Sequence, residues 1–397
     1  MVVVPSKMGR LNKRALVSRL QLMGSASRAG LAKSLGLSQP TAGKIVEQLL
    51  HYGVVEEFDA SSWEADASAG KVGRPPRLLR LDRRHKRFLA IQLGVGETSF
   101  AALPAGVGAE DRWELRLPTP NSAKQWQAQL REAARRVQPR KFWGVLVSIP
   151  GVVDERQGRV LFSPNLHWTE GAKLGALIRQ VWKAPVTLIQ EERALALGQQ
   201  MIEPSEEGFL MVDFGEGVGG AVIVQGRLQV NPLPVCGEFG HTPVWLNQRL
   251  CGCGARGCLE TLVSTRGLLQ SFSENTRRKN PSWRDLVEFV HENGVPRWMA
   301  QTLDQTAHVI AGALNILGLK QVVVSGSLLE FDQCVFRYLA KAIAGGAMWG
   351  RFGKIDVKPA PRRRTAGLIA VGLSRLIWPD QGKGAPGQIA DFAREED

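Results

Sequence analysis

Apolar positions in the first fifty residues recur at helical spacing in three separate runs. The first run extends from Arg10 to Met23. Ser27 and Ser38 each precede a later run, and short polar side chains of this kind cap helix N-termini. Gly36 lies between those two runs, where a chain commonly leaves a helix in the left-handed conformation. The pattern predicts three helices, with a tight turn between the second and the third.

Strand-like patterns follow the three helices. Two short strands are predicted at Val54–Phe58 and Leu78–Leu81, and strands alternate with helices from Phe88 onward. The later strands are Phe88–Leu93, Ser99–Ala102, Phe142–Ile149, Val186–Ile189, Phe209–Phe214, Ala221–Val224 and Gln321–Ser325. The later helices are Ser122–Val137, Gly171–Val181, Arg193–Met201, Thr261–Phe272, Gln301–Leu317 and Leu329–Ile343. This alternation is typical of an α/β fold.

The second and third helices, with the glycine turn between them, have the pattern of a helix-turn-helix, and the two strands after them would form a wing. In such units the second helix of the pair enters the major groove of DNA with its N-terminal residues first. The residues predicted to contact DNA there are Ser38, Gln39, Thr41 and Lys44. A helical hairpin without a DNA role is the alternative interpretation.

Positive charge is concentrated near the N-terminus. The chain carries a net charge of +14, of which residues 1–87 hold +9 and the other 310 residues +5. A basic segment on a nearly balanced body favours a polyanionic partner, although solubility alone is the simpler explanation. Arg74 and Arg77, in the stretch GRPPR, are predicted to reach a minor groove; a basic linker is the alternative.

Length and composition favour a globular protein of two or three domains. The chain has 397 residues, of which 44% are hydrophobic. No apolar run is long enough to span a membrane, and the N-terminal apolar run is too short for a signal peptide. We therefore expect a cytoplasmic protein without a membrane partner. The predicted units are a winged helix-turn-helix at 1–84, a body at 85–380 and a loosely ordered tail at 381–397.

Three of the five cysteines lie within eight residues and follow a histidine. His241, Cys251, Cys253 and Cys258 offer one imidazole and three thiolates, a complete set for a closed structural Zn²⁺ site. Buried free thiols beside a core histidine are the alternative. The two remaining cysteines are predicted to be small core residues; they are Cys236 and Cys334.

The order of several motifs resembles the ROK family (repressors, open reading frames and sugar kinases). The motifs are IPGVVD from Ile149, FSPNLHW from Phe162, FGEGVGGAVIVQG from Phe214, GEFGH from Gly237 and CGCGARGCLE from Cys251. The resemblance implies a two-lobed actin- and hexokinase-like (ribonuclease H-like) body with a sugar in its cleft. It also implies a homodimer or homotetramer, and a regulatory role for members with the N-terminal module.

The resemblance also implies ligand-binding residues. Asn165 and Glu238 would bind sugar hydroxyls, and His241 would contact both sugar and metal. Glu260 would complete the set, and Glu191 could bind the hydroxymethyl group. Surface carboxylates are the alternative for Glu238 and Glu260.

Positions that serve ATP in the related kinases differ in this chain. The loop Asp-x-Gly-Gly-Thr of the kinases is replaced here by Gln92, Leu93, Gly94, Val95 and Gly96. In the second phosphate loop Glu216 would place a negative charge beside the phosphates. Glu191 stands where the kinases have their aspartate base and is one methylene longer, so no catalytic residue is predicted.

These observations favour a sugar-responsive transcriptional regulator, expected to be a repressor. It would bind operator DNA through the winged helix-turn-helix and a sugar or sugar phosphate in the cleft. Two alternatives remain open. One is an ATP-dependent sugar kinase with an attached DNA-binding domain, and the other is a DNA-binding protein whose body only dimerises.

Overall fold

A computed structural model describes residues 5–59, 77–106, 108, 110–229 and 233–377. The N-terminal module contains three helices and a two-stranded antiparallel sheet. Its elements are α1 (Pro5–Met23), α2 (Arg28–Ser34), α3 (Gln39–His51), β1 (Val55–Asp59) and β2 (Arg77–Leu81). The predicted winged helix-turn-helix is confirmed as the fold of this segment.

Side-chain caps and one glycine produce the turn between α2 and α3. Ser27 caps α2 by accepting a hydrogen bond from the Gly30 N–H at 3.0 Å. Ser38 caps α3 by accepting from the Thr41 N–H at 3.4 Å. Between the helices Gly36 has a φ of +63°, which an L-residue with a Cβ rarely adopts.

The first lobe of the body is built on a five-stranded sheet. Its elements are β3 (Phe88–Leu93), β4 (Glu97–Leu103), β5 (Leu115–Pro118), α4 (Ala123–Arg136), β6 (Gly144–Ile149), β7 (Val152–Asp154), β8 (Arg159–Phe162), α5 (Leu174–Val181) and β9 (Val186–Gln190). The strand order is β5-β4-β3-β6-β9, with β3, β6 and β9 parallel. The strands β7 and β8 form a separate hairpin.

The second lobe repeats this plan. Its sheet has the order β12-β11-β10-β13-β14, with β10, β13 and β14 parallel. The elements that follow β9 are α6 (Glu191–Ile202), β10 (Gly208–Phe214), β11 (Val218–Val224), β12 (Arg227–Leu228), α7 (Glu260–Val263), α8 (Thr265–Thr276), α9 (Trp283–Asn293), α10 (Arg297–Leu317), β13 (Gln321–Gly326), α11 (Gln333–Gly346), β14 (Asp356–Pro359) and α12 (Arg364–Gly372).

Two helices, α6 and α12, lie between the two sheets. Leu195 and Ala196 of α6 are buried with residues of β10 and β11. Leu368 and Ile369 of α12 are buried with Phe88 of β3 on the inner face of the first sheet. The opposite faces of the sheets are covered by α4 and α5 in the first lobe and by α8 to α11 in the second. The inner layer is therefore shared by both lobes.

The helices α6 and α12 pack closely because each has a glycine at the contact. A Cβ added at Gly198 of α6 would lie 2.1 Å from the Arg363 carbonyl oxygen. A Cβ added at Gly367 of α12 would lie 1.8 Å from the Ala194 carbonyl oxygen. Both distances are far below van der Waals contact, so this crossing requires two residues without side chains.

The N-terminal module and the first lobe share one hydrophobic core. Leu16 and Leu20 of α1 belong to the same buried cluster as Phe88, Ile369 and Met201. Burial of apolar surface is the dominant stabilising term in folding, so the position of α1 is fixed by the body as well as by its own module. The predicted boundary near residue 84 lies between β2 and β3.

Several sequence-based predictions differ from the structure. The helix predicted over Thr261–Phe272 is interrupted at Ser264, whose side chain caps α8. The helix predicted to begin at Leu329 begins at Gln333, after a 3₁₀ turn. Seven elements were not predicted: β5, the hairpin strands β7 and β8, β12, α9, β14 and α12. The predicted tail at 381–397 lies outside the described residues.

The close contact at Gly198 predicts that one added methyl group strongly lowers the stability of the fold. We expect Gly198→Ala to lower the free energy of unfolding by about 1–3 kcal/mol, because the new Cβ must displace backbone of α12. Urea denaturation measures this change. Gly312→Ala in α10 is the control, since its Cβ would meet no described atom within 4 Å, and it should leave stability unchanged or higher. Equal effects of the two substitutions would contradict this account.

Candidate functional site

A histidine and three cysteines converge after β12. Ligand atoms of His241, Cys251, Cys253 and Cys258 all lie within 4.8 Å of one another. His241 Nδ1 is 3.5 Å from Cys251 Sγ, and Cys253 Sγ is 3.7 Å from Cys258 Sγ. The predicted set of four residues is thus brought together by the fold and could hold a metal ion.

Two of the six separations among these four ligand atoms have the length expected around a tetrahedral ion. Metal–ligand distances of about 2.0–2.3 Å require ligand atoms to be separated by about 3.3–3.8 Å, as observed for both measured pairs. Burial raises the pKa of the Cys251 thiol, and it raises that of Cys258 to about 12. A bound cation would favour the thiolate forms and release protons on binding.

His241 connects this cluster, through Glu238, to the end of β9 in the first lobe. While Nδ1 faces the cysteines, Nε2 lies 3.8 Å from Glu238 Oε2. Glu238 Oε1 accepts a hydrogen bond of 2.8 Å from Gln190 Nε2 at the end of β9. Burial raises the pKa of Glu238, although the neighbouring imidazole and amide partly oppose the increase.

Glu260 and the residue before Asn165 both lie near the cysteine loop. Glu260 Oε2 accepts from the Val218 N–H at 2.9 Å, and its Oε1 lies 3.9 Å from Cys251 Sγ. Asn165 is exposed and follows Pro164, which would contact a Cβ added at Gly252 at 3.2 Å. The first and second lobes therefore both supply residues of the predicted ligand set.

Buried polar atoms at the carboxyl ends of β6 and β9 lack hydrogen-bond partners within the described residues. They include Ser148 Oγ, Gln190 Oε1 and Glu192 Oε2. Buried polar groups in native proteins are nearly always hydrogen-bonded, so groups left open beside a cleft favour a polar ligand. Burial and the charge of Glu191 raise the pKa of Glu192 well above its ordinary value.

Glu191, where the related kinases have their base, is held by two residues. Its Oε1 accepts hydrogen bonds of 2.9 Å from both Gln92 Nε2 and Arg364 Nε. Both members of the Arg364–Glu191 pair are largely shielded from solvent, with 18% and 14% of their side chains exposed. One oxygen of this carboxylate is therefore already hydrogen-bonded by residues of β3 and α12.

A second arginine lies between the glycine turns that follow β10 and β13. Arg362 donates to both carboxylate oxygens of Asp213 at 2.8 Å. Its Nη2 would lie 2.6 Å from a Cβ added at Gly215 and 2.8 Å from one added at Gly326. Burial alone would raise the pKa of Asp213, but Arg362 outweighs this effect and holds it below its ordinary value. A guanidinium group thus lies beside Gly215, in the turn where the resemblance to the kinases implied a second phosphate loop.

Four of the residues predicted to contact DNA are exposed at the start of α3. Ser38, Gln39, Thr41 and Lys44 are all exposed, and the hydroxyls of Ser38 and Thr41 lie 2.8 Å apart. Arg77 is the first residue of β2 and pairs with Glu57 at 3.5 Å. Arg74 lies outside the described residues.

Sequence reasoning missed Arg362, Arg364, Asp213 and Glu192. The run of three arginines at the start of α12 was the available clue, but nothing in the sequence identified their partners. The expectation that both isolated cysteines are core residues was wrong, because Cys334 is exposed and Cys236 is half-buried. Cys334 lies at the solvent-facing start of α11, where burial is not needed.

The sequence profile of the ROK family matches residues 88–375. The chain belongs to the ROK family. The xylose repressor of Bacillus spizizenii is 25% identical over 377 residues, which are 93% of this chain and 95% of that protein. The regulator NagC of Escherichia coli K12 is 23% identical over 356 residues, 84% of each chain.

Solved ROK structures have the same fold. A ROK family transcriptional regulator, a homologue of the E. coli Mlc protein, covers 92% of this chain with a TM-score of 0.72 and 19% identity; 96% of that chain is covered. The ROK hexokinase of Thermus thermophilus covers 72% of this chain and 96% of its own, with a TM-score of 0.58 and 22% identity. Within the described part of the chain, no helix has the length and apolar character required to cross a membrane.

The cysteine cluster predicts one bound metal ion per chain. We expect Cys253→Ser to abolish metal retention and to lower the melting temperature, because one of four ligands is lost. Elemental analysis of the purified protein measures the metal. Cys334→Ser changes an exposed cysteine outside the cluster and should leave both quantities unchanged. Full metal retention in Cys253→Ser would rule out this ligand set.

The raised pKa of Glu192 predicts that the stability difference between Glu192→Gln and the parent protein depends on pH. Its pKa is raised in the folded state, so its ionisation costs stability as the pH rises above 4.5, its ordinary value. Glu192→Gln should therefore raise the free energy of unfolding clearly at pH 7.5. At pH 4 the carboxyl is largely neutral in both states and the gain should nearly vanish. An equal gain at both pH values would show that the effect does not come from ionisation.

Proposed function

We propose that this protein is a transcriptional repressor that binds operator DNA and responds to a sugar or sugar phosphate in the ROK cleft. The proposal is carried by one combination: a winged helix-turn-helix precedes a ROK body whose polar cleft residues remain open. The relatives named as repressors cover nearly the whole chain, including the N-terminal module.

DNA binding is assigned to α3 and to the basic charge around it. Gln39 at the start of α3 is suited to read an adenine edge, and Lys44 is suited to contact phosphate. Since operators of paired modules are inverted repeats, we propose a homodimer or homotetramer. Arg77, with a 59% exposed side chain, adds positive charge at the wing.

The sugar site is assigned to five residues around the cleft. They are Asn165, Glu191, Glu238, His241 and Glu260. Carboxylates and an amide satisfy the hydroxyls of a sugar in a desolvated cleft. The cysteine cluster would hold a structural Zn²⁺ ion, which fixes His241 while its Nε2 faces Glu238.

A sugar kinase with an attached DNA-binding module is the alternative function. The similarity to the Thermus hexokinase favours it at the level of the fold. The Arg364–Glu191 pair and the position of Arg362 weigh against phosphoryl transfer, as do Gln92, Val95 and Glu216. Measurement of ADP release with a panel of hexoses and pentoses decides between the two.

The first test is selection of genomic fragments by the purified protein, followed by sequencing. We expect an enriched inverted repeat, whose affinity is then measured by fluorescence anisotropy with D-xylose, N-acetyl-D-glucosamine and their phosphates. A saturating effector should change operator affinity several-fold. Absence of enrichment both with and without sugars, together with ADP release, would contradict the repressor function and support the kinase function.

A second prediction concerns Lys44. We expect Lys44→Ala to weaken binding to specific and nonspecific DNA alike, and to reduce the slope of log affinity against log salt by about one, since one phosphate contact is lost. Lys354→Ala, an exposed lysine of the second lobe, is the control and should leave the slope unchanged. An unchanged slope for Lys44→Ala would remove this residue from the interface.

A further inference from the structure

We propose that the cleft selects an uncharged sugar and excludes the phosphate ester of the same sugar, and that Glu191 sets this preference. The inference rests on the proposed function and narrows it, because that function leaves both classes of effector open. Four features of the cleft support it: paired arginines, an internal carboxylate at the glycine turn, an excess of carboxyl groups, and open hydrogen-bond acceptors.

The first feature is that both arginines of the cleft are paired with carboxylates. Arg362 donates to the two oxygens of Asp213 at 2.8 Å and to the Phe214 carbonyl oxygen at 2.9 Å. Arg364 donates from Nε to Glu191 Oε1 at 2.9 Å. Proteins hold phosphate groups mainly with charged donors such as guanidinium groups. Each guanidinium group here has a carboxylate of its own, so the two pairs offer a phosphate no net positive charge.

The second feature is an internal carboxylate at the glycine turn between β10 and β11. Glu260 Oε2 accepts a hydrogen bond of 2.9 Å from the Val218 N–H, and the Gly215 N–H donates to the Gly217 carbonyl oxygen at 2.9 Å. Backbone N–H groups in such turns are the usual donors to a bound phosphate. Both groups are occupied within the chain, and the exposed Glu216 adds negative charge to the same turn. This turn is therefore unsuited to an anion.

The third feature is an excess of carboxyl groups over cations. Among the ion pairs of the described residues, none joins Glu192 or Glu260 to a lysine or an arginine, and Glu238 has only His241, at 3.8 Å. Burial, and after it the charge of Glu191, raises the pKa of Glu192 well above its ordinary value. The cleft thus opposes the ionisation of one of its own carboxyl groups. A phosphate ester would bring about two more negative charges into the same field.

The fourth feature is that the open polar atoms of the cleft accept hydrogen bonds. Within the described residues, neither Gln190 Oε1 nor the second oxygen of Glu191, Oε2, receives a hydrogen bond. Sugar hydroxyls donate hydrogen bonds and can satisfy both atoms. A phosphate dianion only accepts, so its oxygens would leave these acceptors unpaired, which costs free energy in a desolvated site. The pattern of donors and acceptors therefore favours a hydroxyl group at this position.

The test measures matched pairs of ligands by calorimetry. The pairs are D-xylose with D-xylose 5-phosphate, D-glucose with D-glucose 6-phosphate, and N-acetyl-D-glucosamine with its 6-phosphate. We expect the sugar that binds most tightly to be uncharged, and its phosphate to bind at least on the order of thirtyfold more weakly, since like charges brought together oppose binding. Equal or tighter binding of the phosphate would overturn the inference and leave the repressor function intact.

A substitution at Glu191 tests its role in this preference. Glu191→Gln keeps the size of the side chain but leaves the positive charge of Arg364 without its carboxylate. The phosphate should therefore gain on the order of tenfold in affinity relative to its uncharged sugar, whereas general damage to the site would weaken both alike. The control is Glu132→Gln, which removes the partner of Arg136, 3.0 Å away on the outer helix α4, and should keep the parental ratio. A parental ratio in Glu191→Gln would remove Glu191 from this role.

A measurement without sugar keeps the two hypotheses separate. Inorganic phosphate, compared with chloride at equal ionic strength, should raise the melting temperature of Glu191→Gln more than that of the parent protein or of Glu132→Gln. The difference between the proteins is the readout, because the basic N-terminal module is the same in all three. If the parent binds neither member of any pair, the proposed function fails, and this comparison still decides whether Glu191 excludes anions. Equal shifts in the three proteins would refute that assignment.

Discussion

The close approach of α6 and α12 is the constraint on which the rest of the structure depends. Backbone contacts backbone at Gly198 and Gly367, so two helices fit into the layer between the sheets. This layer fixes where α6 begins, and hence where Glu191 and Glu192 lie relative to the second lobe. It also fixes the path of the segment that carries Arg362, Arg363 and Arg364 between the lobes.

Local sequence patterns predicted the elements whose formation depends on nearby residues. Ser27, Gly36 and Ser38 specify the helix-turn-helix because caps and left-handed turns are determined within a few positions. Cys251, Cys253 and Cys258 were recognisable for the same reason, since the first and the last are seven positions apart. The helix α9 could have been found, because Ser282 and Asp285 form a capping box.

Features that depend on tertiary contacts were not predictable from the pattern. The helix α12 is buried on nearly all sides, so it lacks the polar face that reveals a helix in a sequence. Arg364 and Glu191 are 173 positions apart, and neither residue indicates its partner. The candidate sugar residues came from resemblance to the family; the structure adds the arginines that accompany them.

The joint core of α1 with the body has a consequence for how such regulators can diversify. A DNA-binding module joined by a flexible linker can be exchanged between proteins without changes to the body that receives it. Here Leu16 and Leu20 are buried with Met201 and Ile369. A module from another protein would therefore need matching side chains at this contact, or a void would form. Under the proposed function, new operator preferences are therefore more accessible through the exposed residues of α3 than through replacement of the whole module.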